Sequence, residues 1–209
     1  LLSQADSCIG GKNSINFKNF KNILGNFYPP KKIYISKKFL EKLPKKNLYD
    51  GLGEIFHILA VYNKKKITLI EKFLQKEISI NYLIQESLLC KKYFIEIDEF
   101  DKKLRKLLNF GHTFGHAIES YTNFKISHGQ AVALGCSYAI WMSQKLKYID
   151  EIEAMNYKKI LNKIILNKKI FNMSKLSKFL LKDKKAENDK VNFILVNKNN
   201  KMFVKKFKI

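Results

Sequence analysis

Three of the four histidines in this 209-residue chain, His112, His116 and His128, lie within 17 residues. Arg105 and Asn109 stand just ahead of them. Wound as one helix at 100° per residue, 105–119 brings Arg105, Asn109, His112 and His116 into an arc of about 60°. Leu107, Phe110, Phe114 and Ile118 then gather on the opposite side as a core-facing stripe. An arginine, an amide and two imidazoles make a wall suited to an anion or a metal ion. A solvated helix face would carry Lys and Glu instead.

His112 and His116 stand at i, i+4, a spacing that lets two imidazoles approach one metal from a helix. His128 opens the next helical segment. No cysteine is placed to complete such a site, so a further ligand must be a carboxylate. Glu54 is the candidate, because in Gly51-Leu-Gly-Glu-Ile-Phe56 it sits among apolar residues where an unpaired carboxylate is costly. Three protein ligands of N and O type leave one zinc position open to substrate. Asp6-Ser-Cys-Ile-Gly-Gly-Lys12 looks like a phosphate loop but lacks the glycine spacing and the Ser/Thr after lysine that a Walker loop needs.

These residues need elements to position them. The length allows one good core, or one domain with part of another. From Lys37 the pattern is helical: Lys37–Lys42, Leu48–Tyr62, Ile67–Gln75, Asn81–Glu96, Lys103–Tyr121, His128–Leu146, Glu151–Leu166 and, more weakly, Ser174–Leu181. Val191–Val196 and Met202–Phe207 around Asn197–Lys201 read as a small β-hairpin. Residues 1–36 read as loops with a short helix near 19–25 and a strand near 32–35. That opening has no folding logic of its own and reads as the tail of a larger α/β domain.

Net charge is +22, which invites a nucleic-acid reading. Yet Arg105 is the only arginine among 40 Lys+Arg. Lysine, asparagine and isoleucine share AT-rich codons, and a nucleic-acid binder would use arginine for bidentate contacts. Nucleic acid is therefore not the expected primary partner. The longest apolar run, Ala131–Met142, is too short for a bilayer. No signal-peptide pattern opens the chain, and the scattered Cys8, Cys90 and Cys136 fit a reducing cytoplasm.

Taken together, the motifs resemble 3-dehydroquinate synthase. They are Asp6-x3-Gly-Gly-Lys12-x3-Asn16, Lys21-Asn22, Phe39-Leu-Glu-Lys-Leu-Pro44, Gly53-Glu54-Ile55, Lys91-x6-Asp98-Glu99, Arg105-x2-Leu-Asn-Phe-Gly-His-Thr-Phe-Gly-His-Ala-Ile-Glu119 and His128-Gly-x-Ala-Val132. Asp183-Lys-Lys185 is a weaker match. The resemblance implies a mainly α fold: a helical metal- and substrate-binding domain over 45–209, preceded over 1–44 by the end of an α/β Rossmann-like NAD-binding domain. It implies a cytoplasmic, NAD- and metal-dependent lyase of the shikimate pathway, acting on an anionic sugar phosphate as a homodimer. The front of the nucleotide domain is not in the sequence, so the chain is expected to be part of a longer protein.

By the same resemblance, Glu54, His112 and His128 would hold Zn2+ or Co2+, and His116 would face substrate rather than metal. Asp6, Lys12, Asn22, Lys91, Arg105, Asn109 and one of Lys184 or Lys185 would bind substrate, with His116, Lys12, Arg105 and Asn109 in the catalytic set. Lys12, Lys21 and Phe39, Leu40, Glu41 and Lys42 would border NAD. Three residues depart from the family pattern. His57 stands where a substrate-binding lysine is usual, Gln130 replaces an acidic residue with loss of any carboxylate role toward the metal ligands, and Asn13 replaces threonine. The nearest alternatives are another sugar phosphate cyclase, of the 2-deoxy-scyllo-inosose or valiolone synthase type, and an inactive remnant that binds anions or RNA.

Overall fold

A computed structural model describes residues 1, 3–17, 20–167, 171–180 and 190–208, with the backbone alone at 16, 17 and 20–23. The described chain is mainly helical. Its helices are α1 (Lys45–Tyr62), α2 (Thr68–Leu74), α3 (Ile80–Ile97), α4 (His112–Tyr121), α5 (His128–Lys145), α6 (Glu151–Ile164) and α7 (Met173–Leu180). Strands β1 (Lys12–Phe17) and β2 (Phe20–Phe27) pair antiparallel, as do β3 (Lys190–Val196) and β4 (Met202–Lys208).

Helix α5 is the hub. Gly129 through Cys136 are all buried, as expected of a helix that is apolar on every side and enclosed by others. It packs against α1, α4, α6 and β3. Helix α1 has a continuous buried run from Gly51 to Ala60, so Glu54 and His57 lie inside the molecule. Helix starts follow ordinary capping chemistry. Ser79 Oγ accepts from the Tyr82 amide at 3.2 Å, and Asp150 Oδ1 accepts from the Glu153 amide at 2.7 Å. The β3–β4 turn is set by Asn197, whose Oδ1 accepts from the amides of Asn199 and Lys201 at 3.0 and 3.1 Å.

Three local expectations are corrected. The segment near 19–25 is not a helix: β2 runs through it, with Ser14 opposite Gly25 and Lys12 opposite Phe27. Phe20, Ile23, Leu24 and Phe27 have helical spacing, but Asn22, Gly25 and Asn26 are weak helix formers, and cross-strand pairing prevails. The segment 32–35 is not a strand, and Pro29 and Pro30 just before it offer no N–H to a ladder.

The third correction bears on the site. Residues 103–121 are not one helix: Leu104–Asn109 winds as 3-10 turns, and α4 starts only at His112. Between them Gly111 has φ +81°, and a Cβ there would lie 2.5 Å from Cys136 Sγ and 2.8 Å from the Val132 carbonyl oxygen. A left-handed glycine lets the chain turn while α4 closes on α5. The arc uniting Arg105 and Asn109 with the histidines therefore does not exist as a helix face. The Leu104–Asn109 turns are anchored separately by Asp98, whose carboxylate accepts from the amides of Lys102, Lys103 and Arg105 at 2.9, 2.6 and 3.0 Å.

Candidate metal centre

All four histidines converge. His57 and His112 have ring centroids 4.8 Å apart, His112 and His128 5.5 Å, His112 and His116 5.6 Å, and His116 and His128 5.9 Å. Glu54 lies at the centre, 1% exposed. Its Oε1 is 3.2 Å from His128 Nε2; its Oε2 is 3.0 Å from His57 Nδ1 and 3.8 Å from His112 Nε2. Helix α1 brings the carboxylate, α4 brings His112 and His116, and the first residue of α5 is His128.

Of the three imidazoles beside Glu54, those of His112 and His128 have a second partner at Nδ1. His112 Nδ1 lies 3.3 Å from the Phe110 carbonyl oxygen, which can only accept, so Nδ1 carries the hydrogen and Nε2 presents a lone pair. His128 Nδ1 is likewise 3.1 Å from Glu119 Oε1. The Nε2 atoms of two imidazoles and a buried carboxylate thus face one small volume. Neither oxygen of Glu54 meets hydrogen-bond geometry. One ligand atom each from Glu54, His112 and His128 lies within 4.8 Å of the others. A positive charge, either a proton on an imidazole or a bound cation, balances such a cluster, and an N2O set suits zinc or cobalt. The donor set fits a divalent metal.

The electrostatics agree. Burial alone would raise the Glu54 pKa, but the surrounding imidazoles, His57 and His112 foremost, hold it well below the usual carboxylate range. Burial pushes His112 well down. For His128, burial is overcome by the carboxylates of Glu119 and Glu54, which push it up to about 10. A proton held there balances the carboxylates on either side of the ring. A second group, His116, Glu119 and His128, also has ligand-atom spacing. In it Glu119 already serves His128 Nδ1, the carboxylate–histidine support common behind metal ligands.

The other expected site residues divide. Lys91 Nζ donates to Asp6 Oδ1 at 2.7 Å and to the Asp6 carbonyl at 2.8 Å, joining α3 to the turn Ser3–Ser7. Lys12 pairs with Asp101. Arg105 is buried, and its guanidinium donates to the carbonyls of Glu99 and Gly10, the latter at 2.9 Å. Asn109 donates from Nδ2 to the Lys106 carbonyl at 2.9 Å. Phe39, Leu40, Glu41 and Lys42 lie in and just after the 3-10 turn Lys37–Leu40, with Phe39 exposed. Lys21 and Asn22 are in β2, where the backbone alone is described, and Lys184 and Lys185 lie outside the described residues.

Gln130 is engaged by backbone groups. Its amide donates to the carbonyls of Tyr49 and Ile164 at 3.0 and 3.1 Å and accepts from the Leu166 amide at 2.8 Å. It joins the ends of α1, α5 and α6, and Glu119 supplies the carboxylate behind His128. Sequence reasoning gave Glu119 no role: its spacing from His116 was legible, but its partner is His128, on the next helix.

Family models match both parts of the chain: 3-dehydroquinate synthase N-terminal over residues 1–50 and 3-dehydroquinate synthase C-terminal over 51–186. The chain is 36% identical over 201 residues to the 3-dehydroquinate synthase of Campylobacter concisus, covering 95% of this chain and 58% of that protein. It is 38% identical over 206 residues to that of Dictyoglomus thermophilum, covering 93% and 57%. The chain therefore spans less than two thirds of the length of these relatives. In fold it is similar to a 2-deoxy-scyllo-inosose synthase solved with carbaglucose-6-phosphate, NAD+ and Co2+ (TM-score 0.83, 22% identity, 99% of this chain and 62% of that one). It is also similar to the 2-epi-5-epi-valiolone synthase of Streptomyces hygroscopicus with NAD+ and Zn2+ (TM-score 0.81, 19% identity, 97% and 59%). Matched by its family models from residue 1 to 186, this chain belongs to the 3-dehydroquinate synthase family.

Proposed function

We propose that this chain supplies the metal- and substrate-binding wall of a 3-dehydroquinate synthase. The activity is conversion of 3-deoxy-D-arabino-heptulosonate 7-phosphate to 3-dehydroquinate and phosphate. The observation that carries the reading is the convergence of the buried Glu54 Oε1 and Oε2 with Nε2 of the part-buried His112 and His128, in a set of ligand atoms within 4.8 Å of one another. In the complete enzyme, NAD supplies transient oxidation and return of hydride, and a divalent ion held by Glu54, His112 and His128 polarises substrate hydroxyls.

The remaining residues bind and orient. Lys12, Lys91 and Asp6 form a charged rim for the carboxylate, phosphate and hydroxyls, together with Asn22, Asn109 and one of Lys184 or Lys185. His116, stacked on His128, faces substrate and moves protons. Arg105 acts by holding the Gly10–Lys12 turn under that rim. We retain the division into a nucleotide-domain segment, 1–44, with Lys21 and Phe39–Lys42 along NAD, and a helical domain, 45–209. Ile15, Tyr34 and Phe39 are 63%, 81% and 75% exposed, which suits a surface covered by further nucleotide-binding structure. Homodimerisation belongs to the same proposal. Among the described residues no helix is long and apolar enough to cross a membrane.

The test is phosphate release from 3-deoxy-D-arabino-heptulosonate 7-phosphate by the complete polypeptide with NAD+ and Zn2+. Release from other sugar phosphates instead would assign another cyclase chemistry. Salt-dependent nucleic-acid binding without stoichiometric metal would mark a remnant.

A further inference from the structure

His57 is not among the atoms that converge on the metal position, yet it is buried beside them. It follows Glu54 by three residues on α1, and the two side chains are 3% and 1% exposed. His57 Nδ1 and Glu54 Oε2 are 3.0 Å apart, and both are buried with no hydrogen-bond partner of good geometry. The set of ligand atoms within 4.8 Å comprises Glu54, His112 and His128 and does not extend to His57. The His57 ring packs edge-on against His112, which limits how it can turn. A buried nitrogen with one carboxylate oxygen in reach is a donor to that oxygen.

We propose that His57 is a positioning residue for the metal: its Nδ1–H holds Oε2 of Glu54 and leaves Oε1, on the His128 side, as the ligand atom. The inference rests on the metal centre proposed above. A carboxylate with one oxygen held binds through the other, and its angle to the two imidazoles is set before the ion arrives. Outer partners of this kind contribute roughly 10–100-fold to metal affinity.

Zinc competition against a chromophoric chelator tests this on the full chain, with the ligand-field absorption of the Co2+ form as a second readout. His57→Leu keeps much of the volume without a donor; His57→Asn keeps an N–H. Leucine is expected to weaken zinc about 10–100-fold and to alter the Co2+ spectrum, and asparagine to restore most of both. Circular dichroism of the metal-free proteins separates a folding defect from a metal defect. Zinc affinity unchanged in His57→Leu, or equally weak in both variants, overturns the proposal. Glu54→Gln distinguishes the two levels: if it abolishes zinc while His57→Leu does not, the metal centre stands and only the role of His57 falls. If the unaltered chain takes up no stoichiometric zinc, both fall.

Discussion

Arg105 Nη2 donates to the Gly10 carbonyl at 2.9 Å across 95 positions of sequence, and Gly10 is the residue whose missing Cβ makes room for it. At φ +101°, Gly10 would place a Cβ 2.2 Å from the same Nη2. The chain's one arginine thus clamps the glycine-lysine turn from below, with its second arm on the Glu99 carbonyl. Gly10→Ala is expected to cost about 1–3 kcal/mol through backbone strain alone, and Arg105→Lys about 1–3 kcal/mol by leaving a carbonyl without its donor. Urea unfolding should show the two effects to be less than additive, because each variant relieves the other's conflict. Strict additivity would mean that the clamp does not set the turn.

Gln130 gives a second prediction, one that runs against the family pattern. Its Nε2 donates to two carbonyls in a site only 6% exposed. Restoring the acidic residue usual in the family, Gln130→Glu, would set a carboxylate against both carbonyls. A buried, unpaired charge costs about 3–5 kcal/mol. Denaturant melts at neutral pH should show a loss of that order, and an effect within about 0.5 kcal/mol would contradict the hydrogen bonding described.

Asp98 sets an acid limit on the Leu104–Asn109 turns. Partial desolvation opposes its ionisation, yet the amides of Lys102, Lys103 and Arg105 hold its pKa below the ordinary value. A carboxyl depressed in the folded state contributes stability above its unfolded pKa, about 3.9, and that contribution disappears as pH falls through the folded value. The gap in melting temperature between the unaltered chain and Asp98→Asn should be constant above about pH 5 and close at lower pH. A gap that persists undiminished to pH 2 would show that the carboxylate charge is not its source.

Much of this was legible in residue order. Helices α1, α3, α5 and α6 and the β3–β4 hairpin fall within a few residues of their patterns, because α1, α3 and α6 carry an apolar period, α5 a long apolar run, and the hairpin a turn residue. Glu54 was legible as an acid stranded among apolar neighbours. What failed did so for tertiary reasons. The apolar stripe Leu107, Phe110, Phe114, Ile118 runs unbroken through a chain that is broken. The Gly111 turn is required by the approach of Cys136 and Val132, which no local pattern contains. The strands β1 and β2 depend on one another, and neither reads as a strand alone. The i, i+3 spacing of Glu54 and His57 on α1 stands in the sequence, but the use of that contact needed the positions of His112 and His128.

Metal removal is the most direct test of the centre itself. Without an ion, the cluster keeps its balance by a proton on His128, whose pKa stands at about 10 between Glu119 and Glu54. Glu54, His112 and His128, one each from α1, α4 and α5, would hold a divalent ion in place of that proton. At a free zinc concentration of 100 times Kd, binding to the folded state alone stabilises by about 2.7 kcal/mol, or roughly 5–10 °C for a chain of this size. Chelator treatment should therefore lower the melting temperature by that amount, and zinc should restore it. Glu54→Gln and His112→Ala should purify with little zinc and show no response to chelator. If His112→Ala retained a full equivalent of zinc, or if chelation left the melting temperature of the unaltered chain unmoved, the Glu54–His112–His128 assignment would be wrong.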